Sequence, residues 1–180
     1  MSETSGFHAQ VRADCRVLVL GSMPGVASLQ AGQYYAHPRN RFWPVMAALC
    51  GFDAGLAYPQ RLAALQAAGG GLWDVLARCR RQGSLDSAIE RGSEEPVALA
   101  AQLVHWPALA VVACNGTAAA QLYRRHLAAA VASVRPALRV IALPSTSPAN
   151  AACSLGQLQQ QWQQLSPWLR SAGNAASAHR

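Results

Sequence analysis

Between Gln33 and Trp43 the chain reads Gln-Tyr-Tyr-Ala-His-Pro-Arg-Asn-Arg-Phe-Trp, which sets two phenol rings, an imidazole, two side-chain amides and two guanidinium groups ahead of an apolar stretch. Rings that stack a base, an amide that orients polar atoms and Arg near phosphate are the ingredients of nucleobase binding. The same residues also have a structural use. Asn40 can cap a helix starting at Arg41, with Phe42 and Trp43 anchoring that helix in the core. For Phe42 and Trp43 the core role is preferred; for Tyr35 and Asn40 the crowding of polar and aromatic groups favours function.

Three further segments have side chains suited to a site. Gly21-Ser22-Met23-Pro24-Gly25 has glycine at both ends and a proline before the second, which suits a tight turn whose backbone N–H groups approach a ligand. A plain strand-to-helix turn has the same composition, and its spacing and missing Lys are not those of a P-loop. Asn115 precedes Gly116 at the end of an apolar run, where its amide can face a site or simply form a turn or cap. Pro144-Ser-Thr-Ser-Pro-Ala-Asn150 offers hydroxyl and backbone donors of the kind that bind phosphate, or else a rigid capped loop. Carboxylates are scarce, and none stands in a paired-carboxylate or metal-ligand spacing. Asp74 alone follows a candidate strand closely enough to reach the site, and a structural hydrogen-bonding role suits it equally.

All 15 basic residues are Arg, against 8 acidic ones, for a net charge of +7. The absence of Lys excludes a Lys Schiff base and a Walker A loop. Scattered Arg is a mild sign of an anionic partner, and charge alone leaves nucleic acid a minority expectation. Cysteines at 15, 50, 79, 114 and 153 form neither a CxxC pair nor a His-containing set, so free thiols in a reducing cytosol and no metal are expected. No apolar run has the length of a membrane span, and the first ten residues lack signal-peptide order. A soluble, cytoplasmic protein follows as the expectation.

The elements that must carry these groups are legible as alternating runs. With 180 residues, 52% of them hydrophobic and 13% charged, the chain can bury one full core. Arg16 to Leu20, Leu109 to Cys114 and Leu138 to Leu143 are continuous apolar runs that each end in one of the unusual loops, with Gly71 to Val75 a weaker fourth. Such runs suit buried parallel strands. Helices are predicted at about 41–50, 59–68, 96–105, 117–131 and 154–169. The expected fold is therefore a three-layer α/β/α single domain with a central, mostly parallel sheet of about four strands. Ligands of such sheets bind at the carboxyl ends of the strands, which is where the loops fall. Residues 171–180 are small and polar and are expected to form a disordered tail.

Taken in order, GSMPG at 21–25, QYYAHPRNRFW at 33–43, GLWDVL with RxGSLDSAI at 71–89, the Asn-Gly pair at 115–116 and PSTSPAN at 144–150 resemble the uracil-DNA glycosylase superfamily, and more closely its hypoxanthine-DNA (deoxyinosine) glycosylase branch. The resemblance runs from about Arg16 to Trp168 and implies one such domain over 1–170. It implies a partner in DNA containing deaminated bases; no cofactor is expected, and a monomer is the default for a protein that must wrap DNA at one edge of its sheet. Most of the superfamily places a polar residue where this chain has Met23, and a thioether cannot orient water. In the hypoxanthine branch the resemblance gives that task to Asn40. It further implies that Tyr35 stacks the flipped base, that Gly21, Ser22, Met23 and Asn115 surround it, and that Arg39, Arg41, Ser145, Ser147, Pro148 and Asn150 meet the DNA backbone. The last loop lacks the His of the classical uracil enzymes and a large apolar wedge. The activity implied is monofunctional excision of hypoxanthine. Uracil or G/U-mismatch excision, a non-catalytic binder of damaged DNA, and a nucleotide-handling protein that never touches a duplex are the alternatives.

Overall fold

A computed structural model describes residues 2–170; the tail expected over 171–180 lies outside the described residues. The strands are β1 (Ser2–Ser5), β2 (Val17–Gly21), β3 (Gly70–Asp74), β4 (Leu76–Arg81), β5 (Glu95–Pro96), β6 (Val111–Asn115) and β7 (Arg139–Leu143). The helices are α1 (Val26–Ala31), α2 (Phe42–Cys50), α3 (Tyr58–Ala67), α4 (Leu99–Gln102), α5 (Thr117–His126), α6 (Ala128–Val134) and α7 (Leu155–Trp162).

Four strands form the central sheet in the order β3-β2-β6-β7, every pairing parallel. Alternation explains why β2 is apolar throughout. Val17 and Val19 pack with Val111 and Ala113 against one helical layer, which contains Phe42, Met46, Leu65, Leu158 and Trp162. Leu18 and Leu20 pack with Val112 and Cys114 against the other, which contains Leu99, Leu103, Leu122 and Val131. A strand covered on both faces has no polar side to show. The three-layer α/β/α expectation and the four strands stand, with boundaries shifted by a residue or two.

The chain also builds elements that its pattern hides. After Asp74 it continues almost at once into β4, the middle of a three-stranded antiparallel sheet in the order β1-β4-β5. The predicted helix over 117–131 is two, broken at Leu127, where φ is −117°. The one over 154–169 begins at a capping box, Ser154 with Gln157, and tightens to a 3₁₀ helix at Gln163–Trp168, which contains Pro167. The one over 96–105 shortens to α4 and a 3₁₀ turn at Leu103–His105. No helix among the described residues is long and apolar enough to cross a membrane.

Trp162 ties this scaffold to the last loop. Its ring is fully buried, meets Phe42 edge-on at 6.1 Å and donates Nε1–H to the Pro144 carbonyl at 3.0 Å. Trp162→Ala should cost about 3–5 kcal/mol in urea unfolding, through the cavity it opens. Val104→Ala, at an exposed position, should change stability by no more than about 0.5 kcal/mol. Equal effects would contradict the packing described.

Candidate active site at the strand ends

Strand order reverses between β2 and β6, so their carboxyl ends part there and leave a crevice of the kind in which α/β sheets bind ligands. Gly21 ends β2 opposite Asp74 of β3. A Cβ at position 21 would collide with the Asp74 carboxyl oxygen Oδ1, so the carboxyl occupies the space that glycine leaves. The turn from Ser22 to Gly25 is gripped from behind by Arg81, which is 1% exposed. Its guanidinium donates to the Pro24 carbonyl and lies 4.0 Å from Asp86, and Asp86 accepts the Ser22 hydroxyl proton. Ser84 completes the grip, its Oγ accepting the Val26 N–H at 2.9 Å. Burying a guanidinium is costly unless its donors find acceptors. Here the terminal nitrogens find the carbonyls of Met23, Pro24 and Ser84, and Asp86 at 4.0 Å supplies the opposite charge.

The segment from Gln33 to Trp43 forms a second wall. Tyr35 has φ of 57°, the left-handed region that few residues other than glycine occupy, and its ring stacks on Phe42 with centroids 4.0 Å apart and planes 22° apart. Holding such a conformation costs about 1–3 kcal/mol. Phe42 and Trp43 are buried in the core as expected. Helix α2 starts at Phe42 rather than Arg41, and Asn40 Oδ1 accepts the Phe42 N–H at 2.9 Å. Asn40 therefore serves the helix start and still keeps a second lone pair on Oδ1 and both Nδ2 protons.

The last loop is held by two groups with other expected roles. The Asn115 amide forms a two-way clamp with buried Thr146, Nδ2 donating to Oγ1 and Oδ1 accepting the backbone N–H, both at 2.9 Å. One amide proton and one lone pair remain unused by this clamp. Arg41 points its guanidinium into the loop, donating to the carbonyls of Ser147 and Asn150 at 2.8 Å and to that of Cys153. Those donors are spent inside the protein, so Arg41 shapes the loop rather than reaching out to phosphate. Asn150 also turns inward, donating to the Ser145 carbonyl at 2.9 Å.

These walls enclose a cavity of about 170 Å³. Sites for drug-sized ligands run to about 300–1,000 Å³, so this one is scaled to a smaller group. Gly21, Ser22, Met23, Tyr35, Asn40, Asn115, Ser145, Ser147 and Pro148 all line it. Arg39, Arg41 and Asn150 do not, and Arg39 is exposed. Residue types alone did not single out His37, Asp86 or Thr146, which line it too. Asp74 also lines it. Its Oδ2 and the hydroxyls of Tyr34 and Tyr35 are buried without hydrogen-bond partners. Burial raises the Asp74 carboxyl to about 7; Asp86 adds to the rise, while the nearby Tyr34 hydroxyl and the Arg81 guanidinium oppose it. Burial also raises Asp86 itself, against the Ser22 hydrogen bond and Arg81. Both phenols are pushed well up, by burial first and the Asp74 charge second.

The chain is similar to known proteins over most of this architecture. A family model of the uracil DNA glycosylase superfamily matches residues 8–169. A Methanosarcina barkeri protein named hypoxanthine DNA glycosylase is 38% identical over 86 residues, 47% of this chain and 54% of the relative. A Methanosarcina acetivorans protein of the same name is 34% identical over 117 residues, 64% of this chain and 73% of the relative. The match thus spans about half the length of the first relative and almost three quarters of the second. The solution NMR structure of a Methanosarcina acetivorans protein, described as a candidate uracil DNA glycosylase, superposes with a TM-score of 0.74 at 28% identity, covering 91% of this chain and 99% of that one.

The Asp74 environment sets a pH dependence of stability. The folded protein keeps this proton up to about pH 7, whereas the unfolded chain releases it near 3.8. Between those values the folded state binds more protons, so stability declines as pH rises through the window. Asp74→Asn removes the titration. In thermal melts, its Tm relative to the parent protein should rise from pH 4 to pH 8; a difference that stays constant would contradict the burial described.

Proposed function

The chain belongs to the uracil DNA glycosylase superfamily, and we propose that it is a monofunctional DNA glycosylase that extrudes and excises hypoxanthine from deoxyinosine, leaving an abasic site. The observation that carries this reading is the base-sized cavity at the strand ends, in which a strained Tyr35 ring backed by Phe42 shares the walls with the Asn40 amide. The two curated relatives' names support the choice of base.

The chemistry follows from what lines that hollow. A flipped purine stacks on Tyr35, whose ring cannot swing away because Phe42 lies behind it. Strain at Tyr35 is kept where it presents a preformed surface. As the glycosidic bond stretches, the sugar becomes oxocarbenium-like and negative charge builds on the base. Backbone N–H groups from Gly21 to Met23 and the free Asn115 amide proton stabilise that charge, each such donor supplying about 3 kcal/mol. Asn40 holds the water that captures the sugar cation. An amide suffices, because water need not be deprotonated when the bond is almost broken. Met23 contributes an apolar surface instead of a base. Arg39 and, from the cavity lining, Ser145, Ser147 and Pro148 meet the phosphates, with Arg41 and Asn150 acting on DNA only through the loop shape they set. With no Lys in the chain, a side-chain Schiff base is excluded and the strand is left uncut.

Purified protein mixed in excess with duplexes carrying inosine, uracil or xanthine should release base fastest from inosine, and the strand should break only after alkaline treatment. Fastest release from uracil assigns the chain to uracil excision, and tight binding without release makes it a damage-binding protein. Asn40→Ala should lower the single-turnover rate by at least about 100-fold; an unchanged rate would remove Asn40 from the mechanism.

A further inference from the structure

Two carboxylates line the cavity, and their surroundings differ. Asp86 is engaged by the Ser22 hydroxyl and by Arg81. Asp74 lines the cavity as well, and its Oδ2 is buried with no hydrogen-bond partner. Leaving a buried acceptor unpaired costs about 1–3 kcal/mol, and such a cost persists where the group has a use. Position 21 is glycine, and the Asp74 carboxyl fills the space a side chain would take, so the sequence makes room for this group at the cavity floor.

The excision chemistry proposed above still needs a way to neutralise the departing purine, since backbone N–H groups stabilise an anion without discharging it. We infer that Asp74, in its carboxylic acid form, donates its proton to the leaving hypoxanthine. The inference rests on the glycosylase reading. As the C1′–N9 bond breaks, its electron pair stays on the base, and the Asp74 O–H proton passes to a basic atom of the purine, N7 or O6. Water held at Asn40 adds to C1′ and loses a proton to solvent, and solvent returns a proton to the Asp74 carboxylate. One water is consumed, and neutral base and an abasic sugar are released.

Burial and the Asp86 charge outweigh the other groups around Asp74 and favour its acid form. Tyr34 and Tyr35 present neutral hydroxyls from the wall segment, Asn115 a neutral amide from β6, and His37 lines the same cavity. Asp86 brings a second negative charge, which raises the Asp74 carboxyl, while the Tyr34 hydroxyl and Arg81, already turned to Pro24 and Asp86, oppose the rise. Burial is the largest cause, and the carboxyl sits at about 7, close to the pH at which a general acid works best.

The test is the pH dependence of single-turnover hypoxanthine release at saturating protein, from pH 5.5 to 9. The parent protein should be fastest on the acid side and lose about tenfold per pH unit above about 7. Asp74→Asn, which keeps a hydrogen-bonding side chain but has no proton to give, should lose that limb and run about 100-fold or more slower at pH 6. Asp74→Glu should keep the limb. A parent profile that is flat to pH 9 overturns the inference without any variant, as does an Asp74→Asn profile parallel to the parent's. Failure of the parent protein to release hypoxanthine at every pH overturns the glycosylase reading instead.

Discussion

The cavity depends on four strands running in one direction. Parallel pairing brings the last residues of β2 and β3 side by side, Gly21 against Asp74, and those of β6 and β7, Asn115 against Leu143. Because the strand order reverses between β2 and β6, these ends cannot all be covered by the crossover helices. The loops that leave them must close the gap. Each does so through a specific bond: Arg81 to the Ser22–Gly25 turn, Asn115 to Thr146, and Arg41 to the carbonyls of the last loop. The result is a hollow made rigid from outside, in which few of the lining groups need to move to meet a ligand.

Much of this was legible in the chain. The four apolar runs named the sheet, and the placement of Gly-, Asn- and Ser-rich loops after each run named the edge where a site would form. Tyr35 and Asn40, read from the crowding of chemistry around them, lie in the same cavity as Asn115 and Ser145. What escaped did so for physical reasons. The second sheet contains a strand, Leu-Ala-Arg-Cys-Arg-Arg, whose last Arg is buried; a charge at a core position breaks the apolar alternation by which strands are recognised. The broken helix at Leu127 and the 3₁₀ turns near Trp168 depend on packing that periodicity does not encode.

The division of labour among polar residues was the least visible part. Residue type identifies Asn115 and Arg41 as able to bind a ligand, but only the fold reveals that most of their donors are turned onto the last loop. Conversely, residue type gave Asp86 no role of its own, yet it and buried Arg81 set the shape of the first turn. The motif RxGSLDSAI carries the resemblance to known glycosylases, and the geometry explains why. It is a clamp on the first of the loops that line the cavity. The scarcity of carboxylates then gains meaning, because the two in the cavity divide the work: Asp86 holds the loop, and Asp74 keeps an oxygen free.

The central claim is that an extruded deaminated base enters the hollow between the ends of β2 and β6. A crystal structure of the protein bound to a duplex carrying a 2′-fluoro-arabino inosine, whose glycosidic bond resists cleavage, tests it most directly. The account predicts the inosine rotated out of the helix, its base stacked on Tyr35 with one edge toward Asp74, the Asn40 amide near C1′, and the duplex lying against Arg39 and the Ser145–Pro148 loop. A base that stays stacked in the duplex, or DNA seated on another face of the sheet, would contradict it.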